Sequence, residues 1–326
     1  MSVDNDKGFR GGRATAAIAL LLAGALFAAA PARASEAAPE ADGAHPKKEP
    51  SALEHVTDSY EIELFKSFGP PHIPLPHTTF QVGRHEITLG LSKFMLLELL
   101  AAALVAAFYV PLARRLQSGD PAAGWQENAR EVLLTFIRDE IAKPAIGHDA
   151  DRYVPFLWTM FLFILFNNLL GLVPFCGSAT GNIYVTVGLA ICVFFAIHGS
   201  AAAKMGLGHY LKATWPHFGL GIPGFFLEGF VYLIEWMGVL VRNLVLAVRL
   251  FANMFAGHVV LATVLIFIYI AGKPEVHPAL WGGITVLSVL GQVALSLLEL
   301  FIAFLQAYVF TFLTSLFMGM ALHPAH

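Results

Sequence analysis

Charge is what this sequence has least of. Asp, Glu, Lys and Arg make up only 13% of its 326 residues, where a soluble domain carries about 25%. A surface that poor in charge is not built for water alone. With 57% hydrophobic residues and a mean hydropathy of +0.66, much of it is expected to face lipid. Cysteine is nearly absent too. Cys176 and Cys192 form neither a disulfide framework nor a metal-ligand spacing and read as apolar fillers near membrane segments. No basic cluster accompanies the formal net charge of -3, so nothing points to nucleic acid as a partner. No internal repeat relates one half of the chain to the other.

The first 34 residues read as a secretory signal peptide. Lys7, Arg10 and Arg13 precede an Ala- and Leu-rich run from Ala14 to Ala30, and Ala32-Arg33-Ala34 offers a cleavage site. The alternative is an uncleaved first membrane helix. The short, alanine-rich run and the lack of a stop-transfer charge cluster favour cleavage. Residues 35–90 are expected to form a solvated N-terminal segment outside the cytoplasmic membrane, and 91–326 the membrane domain. Ser35 to Pro50 has the composition of a disordered chain. His55, His72, His77 and His85 show no ligand spacing, so neither a metal nor another cofactor is expected.

Three ordinary spans are predicted at Phe94–Leu112, Tyr153–Phe175 and Asn182–Ala203, each near the roughly 20 residues a bilayer requires. Pro121–Lys143 is amphipathic instead. Val132, Leu133, Phe136, Ile137 and Ile141 recur at helical spacing among Arg130, Glu131, Arg138 and Asp139, as in a helix lying on the membrane surface or against a partner. Two longer tracts follow, Gly224–Ala271 with 48 residues and Trp281–Leu322 with 42. As continuous helices they would run roughly 60–70 Å against a hydrocarbon core of about 30 Å. Each is therefore a strongly tilted long helix or a hairpin of two short spans. No Pro-Gly or Asn-Gly cluster interrupts either centre, which favours the long helix.

Positive charge sets the expected orientation. Arg114, Arg115, Arg130, Arg138, Lys143 and Arg152 lie between the first two spans, and Lys204 and Lys212 follow the third. The alternate connections are nearly free of lysine and arginine, with Lys273 between the long tracts. The N-terminus is thus expected outside, the 113–152 and 204–223 loops in the cytoplasm, and the C-terminus inside. The fold class that follows is an all-α polytopic membrane protein. It has five crossing helices, the last two long and tilted, and an amphipathic cytoplasmic helix.

Polar groups inside such tracts are costly, about 2.5–3.5 kcal/mol for a charge on insertion scales, and are candidate functional residues by default. Glu235, Arg242 and Arg249 are spaced seven residues apart and return to nearly one helix face. Asn253 extends this stripe by one turn, whereas His258, nine residues after Arg249, faces roughly the other way. On the last tract, Glu299 and Gln306 are again seven apart. A His and a Glu on neighbouring helices can form a buried titratable pair. Arginine stays charged, so Arg249 can supply a fixed potential but cannot carry a proton. Plainer roles compete for the neighbours: Arg242 snorkelling to the interface, Glu228 interfacial, Gln306 bridging two helices, and His198 and His209 interfacial or in loops. Arg249 with Asn253 lies too deep in an apolar tract for such an account and marks an ion-translocating site.

Arg249-Leu250-Phe251-Ala252-Asn253-Met254, followed by Ala256-Gly257-His258, closely resembles the signature of subunit a of F-type ATP synthases. Glu299-Leu300-Phe301 with Leu305-Gln306-Ala307-Tyr308 is similar to that family's final helix, and Asn167-Asn168-Leu169-Leu170-Gly171-Leu172-Val173-Pro174 to its second-span motif. The resemblance covers roughly residues 55–322. It implies a stator subunit of the bacterial inner membrane, not catalytic alone, with the bilayer, a c-ring, b-type peripheral stalk subunits and the remaining ATP synthase subunits as partners. By position, Arg249 matches the family's essential arginine facing the c-ring carboxylate. Asn253, His258, Glu299 and Gln306 match residues of the periplasmic half-channel, and Glu235 an acidic residue of the cytoplasmic one. Here the acid and the histidine exchange helices relative to some members. Gly171 replaces an acidic residue of some members, and Asn243 a proline of many.

Two other classes compete. A self-contained secondary transporter would predict internal repeats and Gly- or Pro-interrupted helices near the midplane. A structural scaffold would use the intramembrane charges only for pairing between subunits.

Overall fold

The computed structural model describes residues 61–63, 72–74, 77–82, 85–90, 93–118, 124–173, 178–216, 222–271 and 278–323. The signal peptide expected at 1–34, the stretch Ser35–Pro50, Cys176 and Lys273 lie outside the described residues. In the segment before the membrane domain, β1 (Glu61–Glu63) pairs with β2 (His72–Pro74), and β3 (His77–Val82) with β4 (His85–Gly90), both antiparallel. In the second hairpin Phe80 stands opposite Ile87 and Thr78 opposite Leu89.

The membrane domain is helical. α1 spans Lys93–Ser118, and α2 covers Trp125–Phe136. A π-turn over Ile137–Ala142 leads into the short α3 (Lys143–Ile146), and α4 runs Ala150–Gly171. α5 is Ile183–Met205, α6 Leu207–Ala213, α7 Ile222–Ala271 and α8 Pro278–Leu322. Among the described residues, five helical stretches are long and apolar enough to cross a membrane, as expected.

The expected amphipathic helix divides into α2, the π-turn and α3. The π-turn aims Ile137, Ile141 and Ala142 into the core, each fully buried, while Glu140 stays outside. Gly147, at φ +83°, then ends α3 and starts the turn into α4.

Both long tracts are single helices, of 50 and 45 residues, which removes the hairpin alternative. Each begins with a proline in its first turn, Pro223 and Pro278, where the missing N–H costs nothing. At about 1.5 Å per residue they measure roughly 75 and 68 Å, more than twice a hydrocarbon core of about 30 Å, and must tilt or project beyond it.

Within lipid, helices associate through close packing and hydrogen bonds rather than through expulsion of water. α4 is the most enclosed span, with Leu157, Trp158 and Ile164 at 0% exposure, and it packs against α1 and α8. α8 also lies on α5 and α7. Small residues let the backbones approach: Ala201, Ala303 and Ala307 are all at 0% exposure, and Gly319 lies against the Ala145 carbonyl. A polar network closes the fold near the end of α4. The amide of Asn168 donates to the Ala303 carbonyl at 3.3 Å and its oxygen accepts from Thr180 Oγ1 at 2.9 Å. Thr180 in turn meets Ser178 Oγ at 2.9 Å.

Candidate functional site

The polar stripe of α7 does not form one continuous lining. It is divided between two cavities, with Arg249 in neither. Glu235 and Arg242 line a cavity of about 380 Å³ together with His198 and Tyr210. Asn253 and His258 line a second, of about 210 Å³, with Glu299 across from them on α8. On α7 the last lining residue of the first cavity is Asn243 and the first of the second is Asn253, about 15 Å apart along the axis. The intervening turns are sealed on the protein side by Leu246, Ala247 and Leu250, all at 1% exposure or less.

Arg249 sits half-buried within this plug, one turn beyond the exposed Val245 and one turn before the exposed Ala252. The exposed face of α7 carries an unbroken apolar row that includes Phe230, Leu233, Met237, Leu240 and Leu244. Among the described residues Arg249 has no ion-pair partner. Arg249 is thus placed on α7 between the two cavities, beside the exposed apolar row.

The Glu299 cavity gathers three of the residues singled out in the sequence. Among the described residues, His258 Nε2 and Glu299 Oε2 are both buried without a hydrogen-bond partner. The expected His–Glu pair therefore shares one cavity rather than one hydrogen bond. Gly257 makes the room. A Cβ there would lie 3.0 Å from Glu299 Cδ and 3.3 Å from its Cγ, with Oε1 closer still. One turn nearer Arg249, Asn253 Nδ2 donates to Gln306 Oε1 at 3.0 Å, and Gln306 is 97% buried at 3% exposure. Gln306 does bridge two helices, and it does so beside the cavity rather than away from it.

The other cavity gives two further side chains specific partners. His198, expected at an interface or in a loop, lies half-buried on α5. Its Nδ1 is 2.6 Å from Tyr210 Oη, and its ring packs on Phe194 and Trp236 at 4.4 and 5.1 Å between centroids. The physical reason is the turn at Gly206, whose φ of +84° reverses the chain and folds α6 back on α5. Arg242 is exposed, lies with its guanidinium 5.9 Å from the centre of the Phe317 ring and lines the cavity. Glu228 accepts from Trp215 Nε1 at 3.2 Å, and His209 is exposed.

Tyr210, Trp236 and Asn243 were not singled out as cavity-lining residues in the sequence reading. One signal was available: His198 is a lone titratable group inside an otherwise apolar span. Gly171, noted in place of an acid, packs against Ser178, whose Cβ would be 2.8 Å from any Cβ added there. An acidic side chain has no room at that point.

Comparison with known proteins identifies the family. Residues 95–319 match a family model described as ATP synthase A chain. ATP synthase subunit a of Chloroherpeton thalassium is 36% identical over 287 residues, 86% of this chain and 80% of its own length. That of Myxococcus xanthus is 39% identical over 241 residues, 74% and 75% of the two chains. That of Anaeromyxobacter dehalogenans is 44% identical over 198 residues, 60% and 48%. With the arginine, the paired long helices and these relatives in one chain, this protein belongs to the ATP synthase subunit a family.

Proposed function

We propose that this chain, a multi-pass membrane-sector subunit of ATP synthase that is not catalytic alone, forms two proton half-channels against a rotating c-ring. The observation that carries the reading is the placement of two separate cavities along α7, each lined by titratable side chains, with Arg249 between them. The apolar row on the outer face of α7 supports a ring of apolar helices as the neighbour, and the unpaired guanidinium supports a carboxylate supplied by that ring.

In this mechanism protons enter from the periplasm through the Glu299 cavity. His258 and Glu299 take up and release the proton, and the Asn253–Gln306 hydrogen bond lines the final turn towards the ring. Protonation neutralises a ring carboxylate, which can then rotate into lipid. After nearly a full turn the carboxylate meets the field of Arg249. A positive charge at close range favours the ionised form, so the proton leaves towards the cytoplasm through the cavity of Glu235. Arg249 keeps its own proton at every step, and with the plug of Leu246, Ala247 and Leu250 it blocks a direct leak between the cavities. A potential of 100 mV supplies about 2.3 kcal/mol per proton, so several protons combine for each ATP.

This orientation places the N-terminus in the periplasm and the C-terminus in the cytoplasm of a bacterial inner membrane, with b-type stalk subunits and the remaining ATP synthase subunits as further partners. The test is Arg249→Ala in the whole complex in membrane vesicles. Proton-driven ATP synthesis is expected to disappear while passive proton leak rises. Full synthesis in the variant would overturn the assignment.

A further inference from the structure

The cavity of Glu235 contains more buried polar atoms than Glu235 and Arg242 account for. Three of them have no hydrogen-bond partner among the described residues: His198 Nε2, Trp236 Nε1 and Asn243 Oδ1. They come from two helices and line one space of about 380 Å³. A buried polar atom left unpaired costs about 1–3 kcal/mol, and three such atoms facing one polar space are satisfied together by bound water. At about 30 Å³ per water the cavity has room for several. Asn243 strengthens the point, because it is 96% buried at 4% exposure. Its amide nitrogen already donates to the Val239 carbonyl at 2.9 Å, which leaves Oδ1 as the free acceptor.

We propose that His198 is a second proton-relay residue of this path, acting with Glu235 through water held by Asn243 and Trp236. The inference rests on the half-channel reading of this cavity. Tyr210 sets the chemistry of the ring. The 2.6 Å contact between Nδ1 and Tyr210 Oη accommodates either tautomer; the relay uses the one in which Nδ1–H donates to Tyr210, so that Nε2 carries the lone pair and is the nitrogen left open to the cavity. A proton released from Glu235 passes through water to Nε2, giving an imidazolium whose Nδ1–H still donates to Tyr210. Nε2 then returns a proton to water on the cytoplasmic side, which restores the same tautomer. No ring flip is required.

Among the described residues, the charged and titratable groups that share this cavity with His198 are Tyr210 from α6, Glu235 and Arg242 from α7, and His323 just beyond α8. The rings of Phe194 and Trp236 on the faces of His198 hold its orientation.

The experiment measures passive proton flux through complexes stripped of the soluble sector, in vesicles, as a function of pH. Glu235→Gln reports on the path itself: if it leaves the flux native, the half-channel reading of this cavity fails, and the relay with it. Where Glu235→Gln lowers the flux, His198→Gln and His198→Ala test the relay. Both are expected to lower it roughly tenfold. That is less than the roughly hundredfold loss typical when a sole acid–base group is removed, because water and Glu235 remain. They should also flatten the pH profile between about pH 5 and 8, where a histidine titrates, and added imidazole should restore the flux of His198→Ala. Native flux in both variants overturns the proposal. So does a loss that imidazole leaves unrepaired in assembled complexes, because that marks a packing role. If neither His198 variant assembles, Tyr210→Phe carries the test. Without its acceptor oxygen the Nε2-basic tautomer is no longer favoured, and the flux profile should shift along the pH axis. An unshifted profile overturns the proposal.

Discussion

Gly257 and Gly319 are both glycines at helix crossings, yet alanine should have opposite consequences at the two. At Gly257 an added Cβ meets the end of a flexible side chain, the Glu299 carboxyl. Alanine gains about 1 kcal/mol of helix propensity over glycine. Pushing Glu299 off its rotamer costs about 0.5–1.5 kcal/mol. The net stability change is therefore close to zero, but the carboxyl has to move. Proton transfer is sensitive to misplacement by about 1 Å, at roughly tenfold to a hundredfold. At Gly319 the Cβ meets backbone instead, 2.9 Å from the Ala145 carbonyl carbon and 3.4 Å from Ile146 Cα, with the carbonyl oxygen closer. No side-chain rotation relieves that overlap, and overpacking costs about 1–3 kcal/mol. Gly257→Ala should thus assemble and melt like the native complex in detergent while ATP-driven proton pumping by inverted vesicles drops by at least about tenfold. Gly319→Ala should lower the melting temperature or prevent assembly. Native pumping in Gly257→Ala, or equal destabilisation by both substitutions, would refute the reasoning.

Three further outcomes follow from the packing. Asn168→Leu removes both hydrogen bonds that tie α4 to α8 and to Thr180, leaving buried polar groups unpaired. A loss of about 1–3 kcal/mol is expected in denaturation of the assembled complex. A double-mutant cycle on Asn253→Ala and Gln306→Ala should give a coupling of about 0.6 kcal/mol, with about 1.7 as the ceiling for interhelical bonds in membranes; strict additivity would mean that the bond contributes nothing. Arg138→Ala breaks a two-pronged pair with Asp151, at 2.6 and 2.9 Å, but both side chains are largely exposed, at 42% and 62%. Its effect should stay below about 1 kcal/mol and shrink with added salt.

The secondary-transporter alternative rested on a pattern the sequence lacked, and family membership now removes it. The number, order and length of the spans were legible in the sequence because each is a property of consecutive residues. Apolar length measures itself against a bilayer, and an uninterrupted tract of 48 residues can be read as one helix. The candidate residues were legible for a similar reason, since a charge in lipid stands out against its neighbours. Arg249, Glu299 and Gln306 needed no coordinates to be noticed.

What stands opposite what was not legible. Periodicity put Glu235, Arg242, Arg249 and Asn253 on one stripe, but α5 and α8 pack against it unevenly and split it into two cavities with a sealed turn between. His198 looked incidental until Gly206 turned α6 back to bring Tyr210 to its ring. Gly257 looked like any small helix residue, though its missing Cβ is the space that Glu299 occupies. A sequence specifies the period and the polarity of each helix by itself. Which faces meet, and at what depth, depends on close packing between segments far apart in the chain, and only the tertiary structure decides that.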